Sequence, residues 1–111
     1  MRILITGGAG SLGSNIVDSY MGREDVKILV IDNFSTGSRR SIPLSPSIEI
    51  VQGSVADATL IMSCFERFKP THVIHCAASY KDPDDWEGDA ETNISGTINV
   101  ARGALAYGAK R

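Results

Sequence analysis

The chain alternates short apolar runs with longer stretches in which apolar residues recur at helical spacing. Short runs rich in β-branched residues are typical of strands that are buried on both faces, and the longer stretches are typical of amphipathic helices. This pattern predicts four strands, at residues 3–5, 28–31, 48–51 and 73–78.

Three amphipathic helices are predicted between and after these strands. The first spans residues 12–21, the second follows Asp57 as its N-cap and ends before Pro70, and the third spans residues 92–107 with Gly108 beyond its end. Their apolar positions are Leu12, Ile16, Val17, Tyr20 and Met21 in the first, Leu60, Ile61, Cys64, Phe65 and Phe68 in the second, and Ile94, Ile98, Ala101 and Leu105 in the third.

Strands that alternate with helices predict an α/β fold whose parallel sheet is covered on both faces. The right-handed crossover rule leaves few topologies, and we favour the Rossmann-type doubly wound order 3-2-1-4. The 111 residues allow one domain at most. A full fold of this type needs more strands, so we expect an incomplete sheet of about four strands.

The composition, 42% hydrophobic and 22% charged, argues against disorder. The net charge of −2 gives no reason to expect nucleic acid or an anionic membrane as a partner. Cys64 and Cys76 lack the paired spacing of a metal site, which favours a reduced pair of thiols. The apolar run at the N-terminus is too short for a signal peptide or a membrane span, so we expect a cytoplasmic location.

A glycine-rich loop, TGGAGSLG at residues 6–13, lies directly between the first predicted strand and the first predicted helix. It satisfies Gly-x-Gly-x-x-Gly through Gly8, Gly10 and Gly13, and it also satisfies Gly-x-x-Gly-x-x-Gly through Gly7, Gly10 and Gly13. Glycine permits tight turns and close approach of a pyrophosphate, and the helix start offers unpaired N–H groups. A plain glycine turn is the alternative, but the strand-loop-helix context favours dinucleotide binding. A P-loop is excluded because no Gly-Lys-Ser/Thr closes the loop.

Asp32 follows the second predicted strand, 19 residues after Gly13. A carboxylate at this position accepts hydrogen bonds from the adenosine ribose and repels the extra phosphate of NADP, which favours NAD. The alternative is a solvated aspartate that forms a turn with Asn33. Arg39 and Arg40 are candidates to contact a 2′-phosphate, but they lie well downstream in a polar loop, where solvated side chains are the simpler interpretation.

Five ordered motifs show a family resemblance: TGGAGSLG, DNFSTG at residues 32–37, GSVAD at 53–57, HCAA at 75–78 and NISGT at 93–97. Together they resemble the extended short-chain dehydrogenase/reductase family, specifically the NAD-dependent nucleotide-sugar epimerases and dehydratases of the UDP-glucose 4-epimerase type. The resemblance covers the whole chain and corresponds to the N-terminal part of that family.

The resemblance implies NAD as the cofactor and assigns a role to each matching residue. The pyrophosphate would be wrapped by Gly7, Gly10, Ser11 and Leu12. The adenosine ribose would be held by Asp32 and Asn33, with Phe34, Ser35, Thr36 and Gly37 beside it, and the adenine would be flanked by Ser54 and Val55. Cys76, Ala77 and Ala78 would pass close under the cofactor where the fourth strand ends, and Asn93 would brace that strand end from the last helix. The family has Asp where this chain has Ser54, a neutral and weaker acceptor for the adenine amino group.

Several of these residues have a purely structural alternative. Ala77 and Ala78 are small enough to serve packing alone, and Cys76 fits a buried hydrophobe better than a reactive thiol. His75 lies in an apolar strand and is better explained as a hydrogen-bonded core histidine than as a catalyst. The acidic loop at residues 81–86 borders the active-site cleft in the family, and a solvated loop is an equally good interpretation.

The chemistry of the family uses a Tyr-x-x-x-Lys pair, in which the lysine lowers the pKa of the tyrosine. Tyr20, Tyr80 and Tyr107 are followed four residues later by Glu24, Asp84 and Arg111, so no such pair is present. We therefore expect residues 1–111 to be the N-terminal half of an NAD-binding domain that turns over no nucleotide sugar alone. A non-catalytic NAD-binding or sensing module is the alternative.

The resemblance also predicts how the protein assembles. The complete protein would act on a nucleotide sugar and would form a homodimer through the last helix and the helix that follows it in the family. In this chain we expect the fourth strand to form an exposed apolar edge that promotes self-association.

Overall fold

The computed structural model describes all of residues 1–111 and contains one parallel sheet of four strands. The strands are β1 (Arg2–Thr6), β2 (Lys27–Asp32), β3 (Ile48–Gln52) and β4 (His72–His75), in the order β3-β2-β1-β4. The predicted Rossmann-type order is therefore confirmed. The helices are α1 (Ser11–Ser19), α2 (Ala58–Phe68), α3 (Trp86–Ala90) and α4 (Thr97–Ala106), with a π-helical segment at Glu91–Gly96 and a 3-10 turn at Arg39–Ser41.

Both faces of the sheet are covered, because alternate residues of each central strand enter different clusters. Leu4 packs with the buried residues of α2 and α4, whereas Ile3 and Ile5 pack with Val17 of α1. The apolar residues of β1 and β2 are almost completely buried, as expected for strands that are apolar on both faces. The core therefore holds the carboxyl ends of β1 and β2 rigidly side by side.

Helix α2 begins and ends where the sequence predicts. The Asp57 side chain accepts a hydrogen bond from the Leu60 N–H at 3.1 Å, and Lys69 adopts a left-handed conformation, φ 49°, before Pro70. These two signals are local, so they act in the same way whatever the helix packs against.

The prediction for β4 was wrong at its end. The strand stops at His75, and residues 76–78 leave the sheet. The Cys76 N–H still donates to the Thr6 carbonyl at 3.0 Å, but the Ala77 N–H donates to the Thr6 hydroxyl at 3.2 Å. Because β1 ends at Thr6 and the glycine loop turns away, no backbone carbonyl remains for Ala77 to pair with.

The predicted start of the last helix was also wrong, since helical structure begins at Trp86 rather than at residue 92. The Asp85 side chain caps this start by accepting from the Gly88 N–H at 3.1 Å, and Glu87 and Asp89 lie in the first turn. An aspartate cap followed by acidic residues is a recognised signal for a helix start, and the sequence interpretation overlooked it.

The apolar stripe assigned to this helix faces outward. Ile94, Ile98 and Leu105 are 62%, 45% and 85% exposed, and Ala101 is exposed as well. The residues that face the core are Gly96, Val100 and Gly103, with Ala104 and Tyr107 partly buried. A Cβ on Gly96 would overlap Val55, and one on Gly103 would overlap Phe65, so glycine lets the helix approach closely. A pattern that weighs only large apolar residues misses such a face.

The outer edge of β4 is partly covered. The Lys110 N–H donates to the Thr71 carbonyl and the Val73 N–H donates to the Arg111 carbonyl, both at 2.8 Å. The Val73 side chain packs against the cluster under α2 and α4. The structure therefore does not show the exposed apolar edge expected at β4. A charged side chain at Val73 would be buried against the core.

Candidate functional site

A cleft of about 300 Å³ lies at the carboxyl ends of the strands, where the chain from β1 and the chain from β4 leave the sheet on either side. In open α/β sheets, ligands bind at such a topological switch point. All but three of the predicted cofactor-binding residues line this cleft. The lining consists of Gly7, Gly10, Ser11, Leu12, Ile31, Asp32, Asn33, Ser35, Thr36, Gly53, Ser54, Val55, Cys76, Ala77, Ala78, Tyr80 and Thr92.

The glycine loop forms one wall of the cleft. Gly7 has φ +68°, a left-handed conformation that favours glycine, and a Cβ there would lie 2.7 Å from the Ala77 backbone nitrogen. The Gly7 N–H donates to the Ile31 carbonyl at 2.8 Å, which ties the loop to β2. The loop therefore touches the backbone of two neighbouring strand ends, an arrangement that a side chain at Gly7 would prevent.

Helix α1 begins at the cleft with no side chain capping it at Gly10 and no acidic residue in its first turn. The N–H groups of this turn keep their hydrogen-bonding capacity, and the helix dipole adds a partial positive charge. No lysine or arginine lines the cleft. An anionic group bound there would thus be met by backbone amides rather than by cationic side chains.

Asp32 joins the second strand to the glycine loop. Its Oδ2 accepts a hydrogen bond from the Ala9 N–H and its Oδ1 accepts one from the Phe34 N–H, both at 2.8 Å. These bonds orient the carboxylate toward the cleft and leave each oxygen with a further lone pair. The sequence predicted a ligand role for Asp32 and did not predict its part in holding the loop.

The segment after Asp32 divides between the cleft and the core. Ser35 and Thr36 line the cleft, whereas Phe34, at φ 56°, packs against the cluster under α1. Gly37 also lies outside the cleft, and a Cβ there would be 2.5 Å from the Ala9 carbonyl oxygen. The structure therefore gives Phe34 and Gly37 supporting positions behind the residues that line the cleft.

Ser54 and Val55 lie across the cleft from the glycine loop. The Ser54 hydroxyl accepts a hydrogen bond from the Ala56 N–H at 3.1 Å, so its proton remains available to donate. The Asn99 side chain of α4 donates to the Val55 carbonyl at 2.9 Å. This support from Asn99 was not predicted, because it links residues that are far apart in the chain.

Residues 76–78, which we call the cleft floor, continue from β4 past the glycine loop. Burial raises the pKa of the Cys76 thiol, which keeps it protonated and weakly nucleophilic near neutral pH. Asn93 is the third predicted residue outside the lining. It holds Ser79, the residue after the cleft floor, by two hydrogen bonds. Its Oδ1 accepts from the Ser79 N–H and its Nδ2 donates to the Ser79 carbonyl, both at 2.8 Å. The geometry matches the bracing position that the resemblance implies for it.

The acidic loop that follows is exposed and satisfies its own hydrogen bonds. Asp82 accepts from the Asp84 N–H at 3.0 Å, and the Trp86 indole N–H donates to the Pro83 carbonyl at 2.9 Å. Of the aromatic residues here, Tyr80 lines the cleft although it is 72% exposed. Tyr80 and Thr92 were not among the predicted residues, and no pattern in the sequence singled them out.

The model of the NAD dependent epimerase/dehydratase family matches residues 3–111 of the chain. The chain belongs to this family. The family assignment made from the five motifs is therefore confirmed. No helix of the chain combines the length and the apolar character needed to cross a bilayer.

Solved and curated members of the family show how far the likeness extends. WbmG of Bordetella bronchiseptica, crystallised with NAD, is 55% identical with a TM-score of 0.96, and the match covers 100% of this chain and 36% of that one. UDP-glucose 4-epimerase of Mycolicibacterium smegmatis is 32% identical over 117 residues, covering 100% of this chain and 37% of the relative. UDP-glucuronic acid decarboxylase 3 of Arabidopsis thaliana is 30% identical over 125 residues, covering 99% and 32%. The chain thus spans about a third of the length of these relatives.

Proposed function

We propose that residues 1–111 are the N-terminal part of the NAD-binding domain of a nucleotide-sugar epimerase or dehydratase. The observation that carries the proposal is the hydrogen bond from the Ala9 N–H to Asp32, which joins the glycine loop and the strand-end carboxylate in one cleft. WbmG, which resembles this chain, has been crystallised with NAD and UDP. Bound NAD would supply the hydride acceptor and donor for a sugar hydroxyl group.

The residues that line the cleft support this proposal for each part of the dinucleotide. Free amides at the start of α1, with Gly7, Gly10, Ser11 and Leu12 around them, suit the pyrophosphate. The carboxylate of Asp32, with Asn33 beside it, suits the hydroxyl groups of the adenosine ribose.

Opposite these groups, Ser54 and Val55 line the cleft and would flank the adenine, and the other half of the cofactor would pass over the cleft floor. The contribution of this chain is to bind and orient NAD.

A non-catalytic NAD-binding module remains the second candidate, because none of the three tyrosines is followed by lysine four residues later. The two candidates make the same prediction for NAD binding and differ in what lies beyond residue 111. A coding sequence that continues into a Tyr-x-x-x-Lys pair would decide for the enzyme, and a stop codon directly after Arg111 would decide for the module.

Cofactor preference tests the assignment of Asp32. We expect the chain to bind NAD more tightly than NADP, because the carboxylate repels a 2′-phosphate. Asp32→Ala should weaken NAD binding by about 1.5–3 kcal/mol, the usual range for a hydrogen bond to a charged group, and should narrow the preference. Calorimetric titration with both cofactors measures each affinity.

The ratio of the two affinities is the decisive quantity for Asp32. Loss of the hydrogen bonds from the Ala9 and Phe34 N–H groups would loosen the loop and weaken the binding of both cofactors alike. Loss of the charge repulsion would strengthen the binding of NADP alone. Asp18→Ala, an exposed change on α1, is the control and should alter neither affinity. Equal affinities for NAD and NADP in the unmodified chain would contradict the assignment.

Self-association is expected through the outward face of α4 rather than through β4. Ile98 and Leu105 of α4 form an exposed apolar stripe with Ile94 of the preceding π-helical segment, and the family resemblance puts this helix at a homodimer interface. Leu105→Lys should therefore shift the chain toward monomer in sedimentation runs at several concentrations. Leu44→Lys, at a residue that is 92% exposed in a loop, is the matched control. A chain that is monomeric at every concentration would argue against this interface.

A further inference from the structure

His75, the last residue of β4, forms hydrogen bonds through both ring nitrogens. Its Nδ1 lies 2.6 Å from the Thr6 hydroxyl oxygen at the end of β1, and its Nε2 lies 3.0 Å from the Thr97 hydroxyl oxygen at the start of α4. The imidazole therefore bridges the strand that leads into the glycine loop and the helix that packs behind the cleft floor.

The partners of the two hydroxyl groups determine where each proton lies. The Thr97 hydroxyl donates to the Asn93 carbonyl at 2.7 Å, so toward His75 it accepts, and the proton of the imidazole must be on Nε2. Nδ1 of the neutral ring is then an acceptor. The Thr6 hydroxyl donates to it while accepting from the Ala77 N–H at 3.2 Å. One tautomer alone satisfies all four bonds.

The hydrogen bonds from Ala77 through Thr6, His75 and Thr97 to Asn93, which we call the His75 relay, end on residues that shape the cleft. Ala77 belongs to the cleft floor, and its backbone lies against Gly7, where a Cβ would come within 2.7 Å of the Ala77 nitrogen. At the other end, Asn93 holds Ser79 through two hydrogen bonds. A change at His75 is thus felt at the middle of the floor through Thr6 and next to the residue that follows the floor through Thr97 and Asn93.

We propose that His75 is a positioning residue that holds the cleft floor in its binding geometry only as the neutral Nε2–H imidazole, so that acid weakens NAD binding. The proposal rests on the proposed function for its readout. A proton on Nδ1 would face the Thr6 hydroxyl, whose own proton has no other acceptor, since the Thr6 side chain is fully buried. The Thr6 hydroxyl would have to turn, and its bond from Ala77 would be strained or lost.

The surroundings of His75 supply no charge that would offset this effect. Burial is the cause that lowers the pKa of His75 below its usual value. None of the charged or titratable side chains on the segments packed around it forms a hydrogen bond or ion pair with the imidazole. On β1, β4, the π-helical segment, α4 and the C-terminal segment these are Arg2, His72, Glu91, Arg102, Tyr107, Lys110 and Arg111.

The sign of the pH effect follows from the lowered pKa. Neutral His75 is the form present above the ordinary histidine pKa, so NAD affinity is complete there and falls as pH drops through the pKa of His75 in the folded chain. Below that pKa, the affinity should fall by up to about tenfold per pH unit, because only the neutral fraction binds.

The test is calorimetric titration of the chain with NAD from about pH 8 to about pH 5, with circular dichroism to verify the fold at each pH. In His75→Asn the amide oxygen retains an acceptor for Thr6 and does not titrate. We expect this variant to bind within about tenfold of the unmodified chain near pH 8, the loss of about one hydrogen bond, and to lose the acid dependence. His72→Asn, at the opposite end of β4, is the matched control and should retain the acid dependence of NAD binding.

Nitrogen-15 spectra of the two histidines supply a second readout that is independent of the cofactor. The Nε2–H tautomer at His75 supports the relay, and the Nδ1–H tautomer overturns it. An NAD affinity that stays constant while the nitrogen-15 spectra show His75 becoming protonated, or an acid dependence that survives in His75→Asn, also overturns it. If the unmodified chain fails to bind NAD even near pH 8, the proposed function fails, and the tautomer still decides the relay.

Discussion

Gly10→Val is expected to weaken NAD binding strongly while the chain stays folded. Gly10 has φ −78° and ψ 176°, an extended conformation that valine adopts without strain. A Cβ there would lie 3.3 Å from the Gly7 carbonyl oxygen, which a small adjustment relieves, but the two methyl groups would project beside the free amides of α1. Overpacking of about 3 kcal/mol would weaken binding roughly a hundredfold.

Gly10→Ala is the graded control for this prediction, because it adds the Cβ without the branch. Calorimetry should place its NAD affinity between those of the unmodified chain and the valine variant, and all three should have similar melting temperatures. An unchanged affinity in a folded Gly10→Val variant would show that the dinucleotide binds elsewhere.

Gly13→Ala is expected to destabilise the fold strongly, against the trend of helix propensity. Gly13 lies inside α1, where alanine is normally better than glycine by about 1 kcal/mol. Here, however, a Cβ would overlap the Gly7 carbonyl oxygen and lie 2.7 Å from the Gly8 Cα, and both contacts are with backbone. Since backbone cannot rotate away as a side chain does, we expect a net loss of about 3 kcal/mol in the free energy of unfolding.

Urea unfolding followed by circular dichroism measures this loss. Asp18→Ala also places an alanine in α1, but on the exposed side, where it meets no backbone, and it should change the free energy of unfolding by no more than about 0.5 kcal/mol. A Gly13→Ala variant as stable as the unmodified chain, or more stable, would mean that α1 does not pack against the glycine loop as the structure shows.

Local signals in the sequence determined most of the fold. The apolar runs of β1 and β2 are apolar on both faces, which is possible only in a sheet covered on both sides, and the crossover rule then limits the strand order. The cap at Asp57 and the glycine loop between strand and helix are also local features. Each requires only its neighbours in the chain, so each could be read before the fold was known.

The candidate site could be predicted to a similar extent and for the same reason. The loop and Asp32 lie at fixed positions relative to β1 and β2, so a motif with its spacing locates them. The hydrogen bond from the Ala9 N–H to Asp32 could not be predicted from the motif, because it depends on how two adjacent strand ends are aligned. Phe34 was assigned to the site, although its half-buried side chain packs against the core and lies outside the cleft lining.

Only the tertiary structure decided which face of α4 is buried, where β4 ends and what His75 does. Gly103 lets α4 pack closely against Phe65 of α2, and the large apolar residues of α4 point outward, which reverses the inference from hydrophobicity. The end of β4 is set by where β1 runs out of backbone carbonyls. The protonated nitrogen of His75 is set by hydroxyl groups that lie 69 and 22 residues away along the chain. Sequence patterns register periodicity and spacing, whereas these three features depend on which distant backbone and hydroxyl groups folding brings within hydrogen-bonding distance.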